Sequence, residues 1–204
     1  MKRTTCAQCL RAEKACICSC VQRLSSRVDL LILQHPKEVH HIKGSARLLH
    51  LCWANSRLLV GDVFQEEQLN EALFLGGRRP VLLYPSDEER AHDLALMRCD
   101  AVAELEQCRL VLIDASWRDS RAMLGKNSLL HTLPRRALKQ VPSSQYHIRR
   151  AHKADQLSSI EAAAYALFQL EKNTENLAHL MQAFEQFNAM QLAFGVHKLL
   201  RVSK

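Results

Sequence analysis

The sequence predicts an α/β protein with a parallel sheet, flanking helices and a small cysteine-rich module at the N-terminus. Three observations carry this prediction. Short apolar runs of strand length recur along the chain, segments with helical spacing separate them, and polar clusters follow the runs. Strands that alternate with helices are typical of parallel sheets buried on both faces. The 204 residues suffice for one such domain plus a small appendage.

Each predicted strand is a short run bounded by turn residues. The first run, VDLLILQ, stops at Pro36, which cannot donate to a ladder. The run PVLLY likewise ends at Pro85. The predicted strands cover residues 28–34, 57–63, 80–84 and 109–113, and the alternating segment 145–149 is predicted to be an edge strand.

The helices are predicted from apolar spacing and from their caps. Ser158 and Glu161 form a capping-box pattern before an apolar run. Gly195 is a natural C-cap for the last helix. The predicted helices cover 45–55, 66–73, 88–97, 101–107, a long segment from 158, and 174–194. The stretch 124–144, with its glycine and two prolines, is predicted to be irregular.

Four of the eight cysteines lie within 13 residues near the N-terminus. Their spacing, CxxC followed by CxC, suits a closed tetrahedral Zn²⁺ site with no open position for catalysis. A metal also supplies the stability that so short a segment cannot draw from a core. The predicted ligands are Cys6, Cys9, Cys16 and Cys18, with Cys20 as the substitute. Redox cysteines or a disulfide remain the alternatives.

Domain organisation and location follow from the same features. Residues 1–24 are predicted to form the zinc-binding module and residues 25–204 the main domain. No apolar run approaches the roughly 20 residues that span a bilayer, and no secretory signal is visible. A cytoplasmic protein without a membrane segment is therefore expected, and no obligate protein partner is evident.

The positive charge of the chain, +7 in total, is concentrated in two segments. Residues 1–28 carry six Lys/Arg and one acid, and residues 118–153 carry nine Lys/Arg and one acid. Such clustering indicates a polyanionic partner. The alternative is a merely solvated basic surface.

The sequence Asp114-Ala115-Ser116-Trp117 directly follows the apolar run LVLI. Ligands of parallel α/β sheets bind beyond the carboxyl ends of the strands, so an acid, a hydroxyl and an indole are delivered where a ligand would lie. The alternative is an ordinary turn in which Asp114 or Ser116 caps a helix. His35 with Glu38, Ser86 with Asp87, and the segment 157–161 are further polar clusters. For His35 the alternative is a turn histidine, and for Ser158 a self-satisfied capping box.

Several motifs together carry a family resemblance that runs from Cys6 to about Gln191. They are the four-cysteine cluster, LQHPKE at 33–38, LLYPS at 82–86, DASWR at 114–118, YHIR at 146–149 and LSSIEA at 157–162. With these motifs the chain resembles the DTW-domain family, the bacterial tRNA-uridine aminocarboxypropyltransferases. One position departs from the family: Ser116 stands where the signature has threonine. The distantly similar family that modifies ribosomal RNA has serine there.

The resemblance implies a fold related to the SPOUT methyltransferases, with a knotted C-terminal part of the sheet. It also implies S-adenosylmethionine as donor, which suits the absence of a glycine-rich phosphate loop. The 3-amino-3-carboxypropyl group would move to N3 of a uridine in the tRNA variable loop, at position 47, and methylthioadenosine would be released. A SPOUT-like RNA methyltransferase and a non-catalytic zinc-containing RNA-binding protein are the alternatives.

The resemblance also implies roles for individual residues. Asp114 and Trp117 are the predicted catalytic residues, with Asp114 either accepting the N3 proton or holding the donor. The predicted donor-binding residues are Ser45, Leu83, Pro85, Ser86, Asp114, Ser116, Trp117, Leu157, Ser158 and Ser159. Together with the zinc module, the predicted tRNA-binding residues are Arg118, Arg121, Lys126, Arg135, Arg136, Arg149, Arg150 and Lys153.

Overall fold

Five parallel strands form the centre of the protein. The structure is a computed structural model, which describes residues 4–85, 105–142, 144 and 157–194. The strands are β1 (Asp29–Gln34), β2 (Ser56–Val60), β3 (Arg79–Leu83), β4 (Cys108–Asp114) and β5 (Arg135–Arg136), in the spatial order β2-β1-β4-β3-β5. The predicted α/β fold with a parallel sheet is confirmed.

Helices cover both faces of the sheet. They are α1 (Ala46–Cys52), α2 (Glu66–Phe74), α3 (Trp117–Lys126), α4 (Ser128–Thr132), α5 (Ser159–Glu171) and α6 (Thr174–Ala193). Side chains alternate along the buried strands. Leu30 and Leu110 therefore join a core with α1, α5 and α6, whereas Leu31 and Val111 join a second core with α2, α3 and α4.

The strand order creates a crevice between β1 and β4. These two strands are neighbours, with Gln34 paired in register to Asp114. After β1 the chain moves outward to β2, and after β4 it moves to β5 at the opposite edge. Connections that diverge from neighbouring strand ends leave a crevice in which such sheets bind ligands. The DASW segment begins at this point.

The cysteine-rich segment packs onto the main domain. Ile17 and Leu24 are buried in the same core as α1 and α6. The Leu24 amide donates to the carbonyl of Cys52 at 2.9 Å. The segment therefore shares a core with the sheet domain, and the division into residues 1–24 and 25–204 stays a prediction.

Some predicted boundaries were wrong. The stretch 124–144 is not irregular throughout, because α3 continues to Lys126 and α4 and β5 follow. Strand β2 ends at Val60 instead of residue 63, and the Gly61 amide donates to the carbonyl of Gln34. Within the described residues, β5 forms the edge of the sheet beyond β3. The predicted helix 88–97, most of 101–107 and the strand 145–149 lie outside the described residues.

Among the helices that the structure describes, none combines the length and apolar character needed to cross a bilayer.

Candidate functional site

Asp114 ends β4 in the crevice and is only 5 % exposed. Both of its carboxylate oxygens accept hydrogen bonds. Gln34 Nε2 donates to Oδ2 at 2.9 Å, and Ser159 Oγ donates to Oδ1 at 2.5 Å. Donors on both oxygens fix the orientation of the carboxylate. The predicted meeting of the DASW strand end with the Ser158-Ser159 helix start is therefore present in the structure.

The first turn of α5 completes this part of the site. Ser158 and Glu161 form the reciprocal capping box, so the Ser158 hydroxyl is occupied by Glu161. Ser45 Oγ accepts from the Ile160 amide at 3.3 Å. Among the described residues, no acceptor contacts the Ser159 amide. Ser45 and Ser158 therefore lie at the first turn of α5, where Ser159 contacts Asp114.

Trp117 lies at the start of α3 and remains 44 % exposed. Its indole meets the Tyr84 ring edge-on, with centroids 5.8 Å apart. Tyr84 directly follows β3, and its hydroxyl lies 3.3 Å from Ser120 Oγ. An indole with one edge fixed and a face exposed offers an apolar wall to a ligand. Leu83 is buried at the end of β3, Pro85 is exposed and Leu157 is half-buried.

Ser116 is the N-cap of α3. Its Oγ accepts from the Asp119 amide at 3.1 Å and donates to Asp119 Oδ2 at 2.8 Å. The Ser116 hydroxyl and, after it, the Lys37 ammonium at 3.3 Å lower the pKa of Asp119. The capping alternative for Ser116 is thus realised in the structure, and its contact with a donor stays a prediction.

His35 forms the turn after β1. Its Nδ1 accepts from the Lys37 amide at 3.2 Å, and its own amide donates to the Asp114 carbonyl at 2.9 Å. This is the turn histidine that the sequence left as an alternative. Its backbone contact ties the β1 turn to the strand end that carries Asp114.

The predicted tRNA-binding residues fall into different environments. Arg118 and Arg121 are exposed on α3, directly after Trp117. Lys126 forms an ion pair with Asp62 at 2.7 Å. Arg135 is 8 % exposed, with its guanidinium 5.5 Å from the centre of the Tyr84 ring, and Arg136 is half-buried. Ser86, Arg149, Arg150 and Lys153 lie outside the described residues.

The four predicted metal ligands converge. All four sulfurs of Cys6, Cys9, Cys16 and Cys18 lie within 4.8 Å of one another. The Cys6–Cys18 and Cys9–Cys16 sulfur distances are 3.6 Å and 3.7 Å. A tetrahedral ion with metal–sulfur bonds of about 2.3 Å would place its sulfurs about 3.8 Å apart. The donor set and its spacing therefore fit a metal ion. Cys20 is buried in the core and is not part of the group.

The thiols of this cluster do not share one environment. Backbone amides of Cys9 and Gln8 lower the pKa of Cys6 to about 6. Burial, followed by hydrogen bonds among the neighbouring thiols, raises the pKa of Cys18 to about 12. Amides directed at a sulfur stabilise a thiolate, which is the form that binds metal.

One residue of the site, Gln34, which holds Asp114, was given no role from the sequence. Its signal was weak: Gln34 is the polar last residue of an otherwise apolar run. Tyr84, which contacts Trp117, falls within the range 83–86 that was expected to line the adenine.

A cavity of about 870 Å³ lies beside β3, β5 and α5, and Arg136, Tyr165 and Phe168 are among its lining residues. Neither Asp114 nor Trp117 lines it. The convergent polar groups at the strand ends, and not this cavity, therefore define the candidate site.

The chain is similar to known proteins along nearly its whole length. Three curated relatives are named tRNA-uridine aminocarboxypropyltransferase 2. The chain is 32 % identical to the Mus musculus protein over 208 residues, which is 100 % of this chain and 68 % of that protein. It is 30 % identical to the Macaca fascicularis protein over the same shares, and 29 % identical to the Drosophila melanogaster protein, over 95 % of this chain and 77 % of that protein. No solved structure matches the chain significantly.

The family model of the DTW domain matches residues 3–192, and this range contains the cysteine cluster, the crevice, helix α5 and all but the last residue of α6. A match of this extent establishes the family. The chain belongs to the DTW-domain family.

Proposed function

We propose that this protein is a tRNA-uridine aminocarboxypropyltransferase. It transfers the 3-amino-3-carboxypropyl group of S-adenosylmethionine to N3 of a uridine in the tRNA variable loop, at position 47. The relatives that carry this name align with nearly the whole chain. The observation that carries the proposal is the buried Asp114 carboxylate, which Gln34 and Ser159 hold at the crevice between β1 and β4.

The reaction forms one bond and breaks another. Uridine N3 attacks the γ-methylene carbon of the methionine moiety, and the carbon–sulfur bond breaks to release methylthioadenosine. The N3 proton must leave during this attack. Asp114 can accept that proton as a general base, or it can hold the donor's ammonium group near the reacting carbon. Its fixed orientation supports both roles.

The neighbouring residues hold the donor in this proposal. Ser45, Ser158 and Ser159 surround the start of α5, where helix amides and the helix dipole favour a carboxylate. Trp117 packs on the aminocarboxypropyl arm, and Ser116 lies beside it as the cap of α3. Leu83, Pro85, Ser86 and Leu157 form the adenine wall. Support for this wall comes from Leu83 and Pro85, which lie at the end of β3 next to Tyr84.

The tRNA phosphates are proposed to lie along α3. Arg118 and Arg121 are exposed there, close to Trp117 and Asp114 in the chain. Phosphate contacts from such residues position a nucleic acid without reading its sequence. Arg135 has a different environment, since it stacks on Tyr84, and we assign it to the wall of the site instead of the outer surface.

One structural Zn²⁺ is proposed at the four-cysteine cluster. Four thiolates complete the tetrahedral coordination of zinc, so the ion would stabilise the N-terminal segment without entering the reaction. We further propose that the fold is a knotted relative of the SPOUT methyltransferases, which the parallel sheet supports, and that the protein acts in the cytoplasm.

Product analysis tests this function. Purified protein is incubated with S-adenosylmethionine and tRNA, and the small-molecule product and tRNA nucleosides are identified by mass spectrometry. We expect methylthioadenosine and aminocarboxypropyluridine in equal amounts. Formation of S-adenosylhomocysteine with a methylated nucleoside would instead identify a methyltransferase. Salt-sensitive tRNA binding without either product would identify a binding protein.

Asp114→Asn protein is the matched control for that assay, because it removes the charge with little change of shape. Mass spectrometry of tRNA from a deletion strain then identifies the tRNA species and the modified position.

A further inference from the structure

Arg11 joins the cysteine cluster to the segment that precedes α1. Its Nη1 donates to the Ile42 carbonyl at 2.8 Å, and its Nη2 donates to the Gly44 carbonyl at 3.0 Å. The guanidinium lies 5.2 Å from the centre of the buried Phe187 ring of α6. The Arg11 carbonyl in turn accepts from the Cys6 amide at 2.8 Å. The residue is therefore fixed to the cluster by its backbone and to the main domain by its side chain.

The segment that Arg11 holds is tightly folded. The Gly44 amide donates to the His41 carbonyl at 2.8 Å. A Cβ atom at Gly44 would lie 3.1 Å from the His41 carbonyl oxygen and 3.4 Å from that of Glu38. These contacts leave little space for a side chain at Gly44. The position of the segment is therefore fixed by its own backbone hydrogen bond and by the two hydrogen bonds that the Arg11 guanidinium donates.

The next residue, Ser45, connects the segment to the candidate site through a hydrogen bond. Ser45 is 3 % exposed and makes no side-chain hydrogen bond within its own helix α1. Its Oγ instead accepts from the Ile160 amide in the first turn of α5. The neighbouring Ser159 donates to Asp114. A continuous series of contacts therefore connects the cysteine cluster, through Arg11 and Ser45, to the first turn of α5.

We propose that Arg11 is a positioning residue for the amino-acid end of the donor. It holds the backbone at residues 42–44, so that Ser45 keeps the first turn of α5 in the arrangement that receives the donor's carboxylate. This inference rests on the proposed function, because the proposed function supplies the donor. A residue that only attached the N-terminal segment to the core would affect all parts of the ligand equally.

Two probes distinguish these roles in isothermal titration calorimetry. S-adenosylhomocysteine contains the amino-acid end, whereas methylthioadenosine lacks it and keeps the adenosine. For Arg11→Ala we expect about tenfold weaker binding of S-adenosylhomocysteine, equivalent to about 1.4 kcal/mol. We expect binding of methylthioadenosine to change less than about twofold. Arg11→Lys should restore only part of the affinity, because an ammonium cannot form the two-pronged contact.

Arg23→Ala is the matched control, since Arg23 is an exposed arginine of the same segment. It should leave the affinity for both probes unchanged. Gly44→Ala places a methyl group inside the segment that Arg11 holds. It should therefore weaken the binding of S-adenosylhomocysteine selectively, as Arg11→Ala does. Should Arg11→Ala fail to fold, the Gly44→Ala result decides the question. Metal content and thermal midpoint are measured for every variant.

The outcomes separate this inference from the proposed function. Wild-type affinity of Arg11→Ala for both probes would overturn the inference, and so would an equal loss for both. Failure of the wild-type protein to bind S-adenosylhomocysteine would overturn the proposed function and, with it, the role of Arg11. A selective loss of S-adenosylhomocysteine binding, with metal content retained, supports the inference.

Discussion

Replacement of Asp114 by asparagine removes the negative charge of this side chain while keeping its shape. The new side chain can still accept from Ser159 Oγ, and its amide can donate to Gln34 once the Gln34 amide group turns over. Because both hydrogen bonds can persist, the free energy of unfolding should change by less than about 1 kcal/mol. The transfer rate should fall by about 10²–10³-fold, the usual cost of losing one charge-stabilising group.

Asp114→Ala is the less informative variant. It leaves the Gln34 and Ser159 donors without their acceptor at a position that is 5 % exposed. Each unpaired buried donor costs about 1–3 kcal/mol, so lost activity and lost stability would be confused. The comparison of the two variants in thermal unfolding checks this reasoning.

Single-turnover formation of methylthioadenosine and calorimetry of donor binding distinguish the two roles of Asp114. If Asp114 accepts the N3 proton, Asp114→Asn slows transfer while donor affinity is unchanged. If it holds the donor's ammonium, donor binding weakens by about 10- to 150-fold, since a charged hydrogen bond contributes about 1.5–3 kcal/mol. A folded variant with wild-type turnover and wild-type donor affinity would refute the placement of Asp114 in the site.

Four further outcomes are expected. Trp117→Ala should weaken donor binding in calorimetry, and unchanged affinity would remove the indole from the donor pocket. Metal analysis of protein purified without chelator should find one zinc per chain, and zinc-free folded protein would contradict the proposed site. Arg118→Ala and Arg121→Ala should each flatten the log–log salt dependence of tRNA binding by somewhat less than one unit; an unaltered slope places the RNA elsewhere. Arg109→Ala should destabilise the fold by about 1–3 kcal/mol in denaturant unfolding, because it leaves the carbonyls of Ala72 and Leu73 without their donor, while the half-buried Asp29 keeps its ion pair with Arg78; a loss below about 0.5 kcal/mol would show that this network is dispensable.

The parts of the fold that sequence reasoning identified are those with strong local patterns. Strands β1, β3 and β4 are apolar runs buried on both faces, so their composition alone indicates them. The capping box at Ser158 is similarly local, and the structure contains it. The cysteine cluster was predictable because its four cysteines lie close together in the sequence.

The missed parts depend on contacts that are distant in sequence. β5 consists of two arginines, and no sequence pattern of two charged residues predicts a strand. These residues form a strand because they pair with Leu82 and Leu83 of β3. Arg135 stacks on Tyr84, which lies about 50 positions earlier in the sequence. Because of this distant contact Arg135 is buried, although its charge alone predicted a surface position. Gln34 acquires its role only when β1 and β4 become neighbours.

The shared core of the N-terminal segment and α6 has a consequence for synthesis of the chain. Ile17 and Leu24 are buried in the same core as Phe184 and Phe187, which are translated last among the described helices. About 170 residues separate these partners, and ribosomes add roughly 5–20 residues per second, so the segment waits roughly 10–30 s for its burial. During that interval the five thiols of the segment lack this packing. Early capture of the proposed zinc would protect the nascent chain from oxidation, and cells short of zinc would accumulate oxidised, incompletely folded protein.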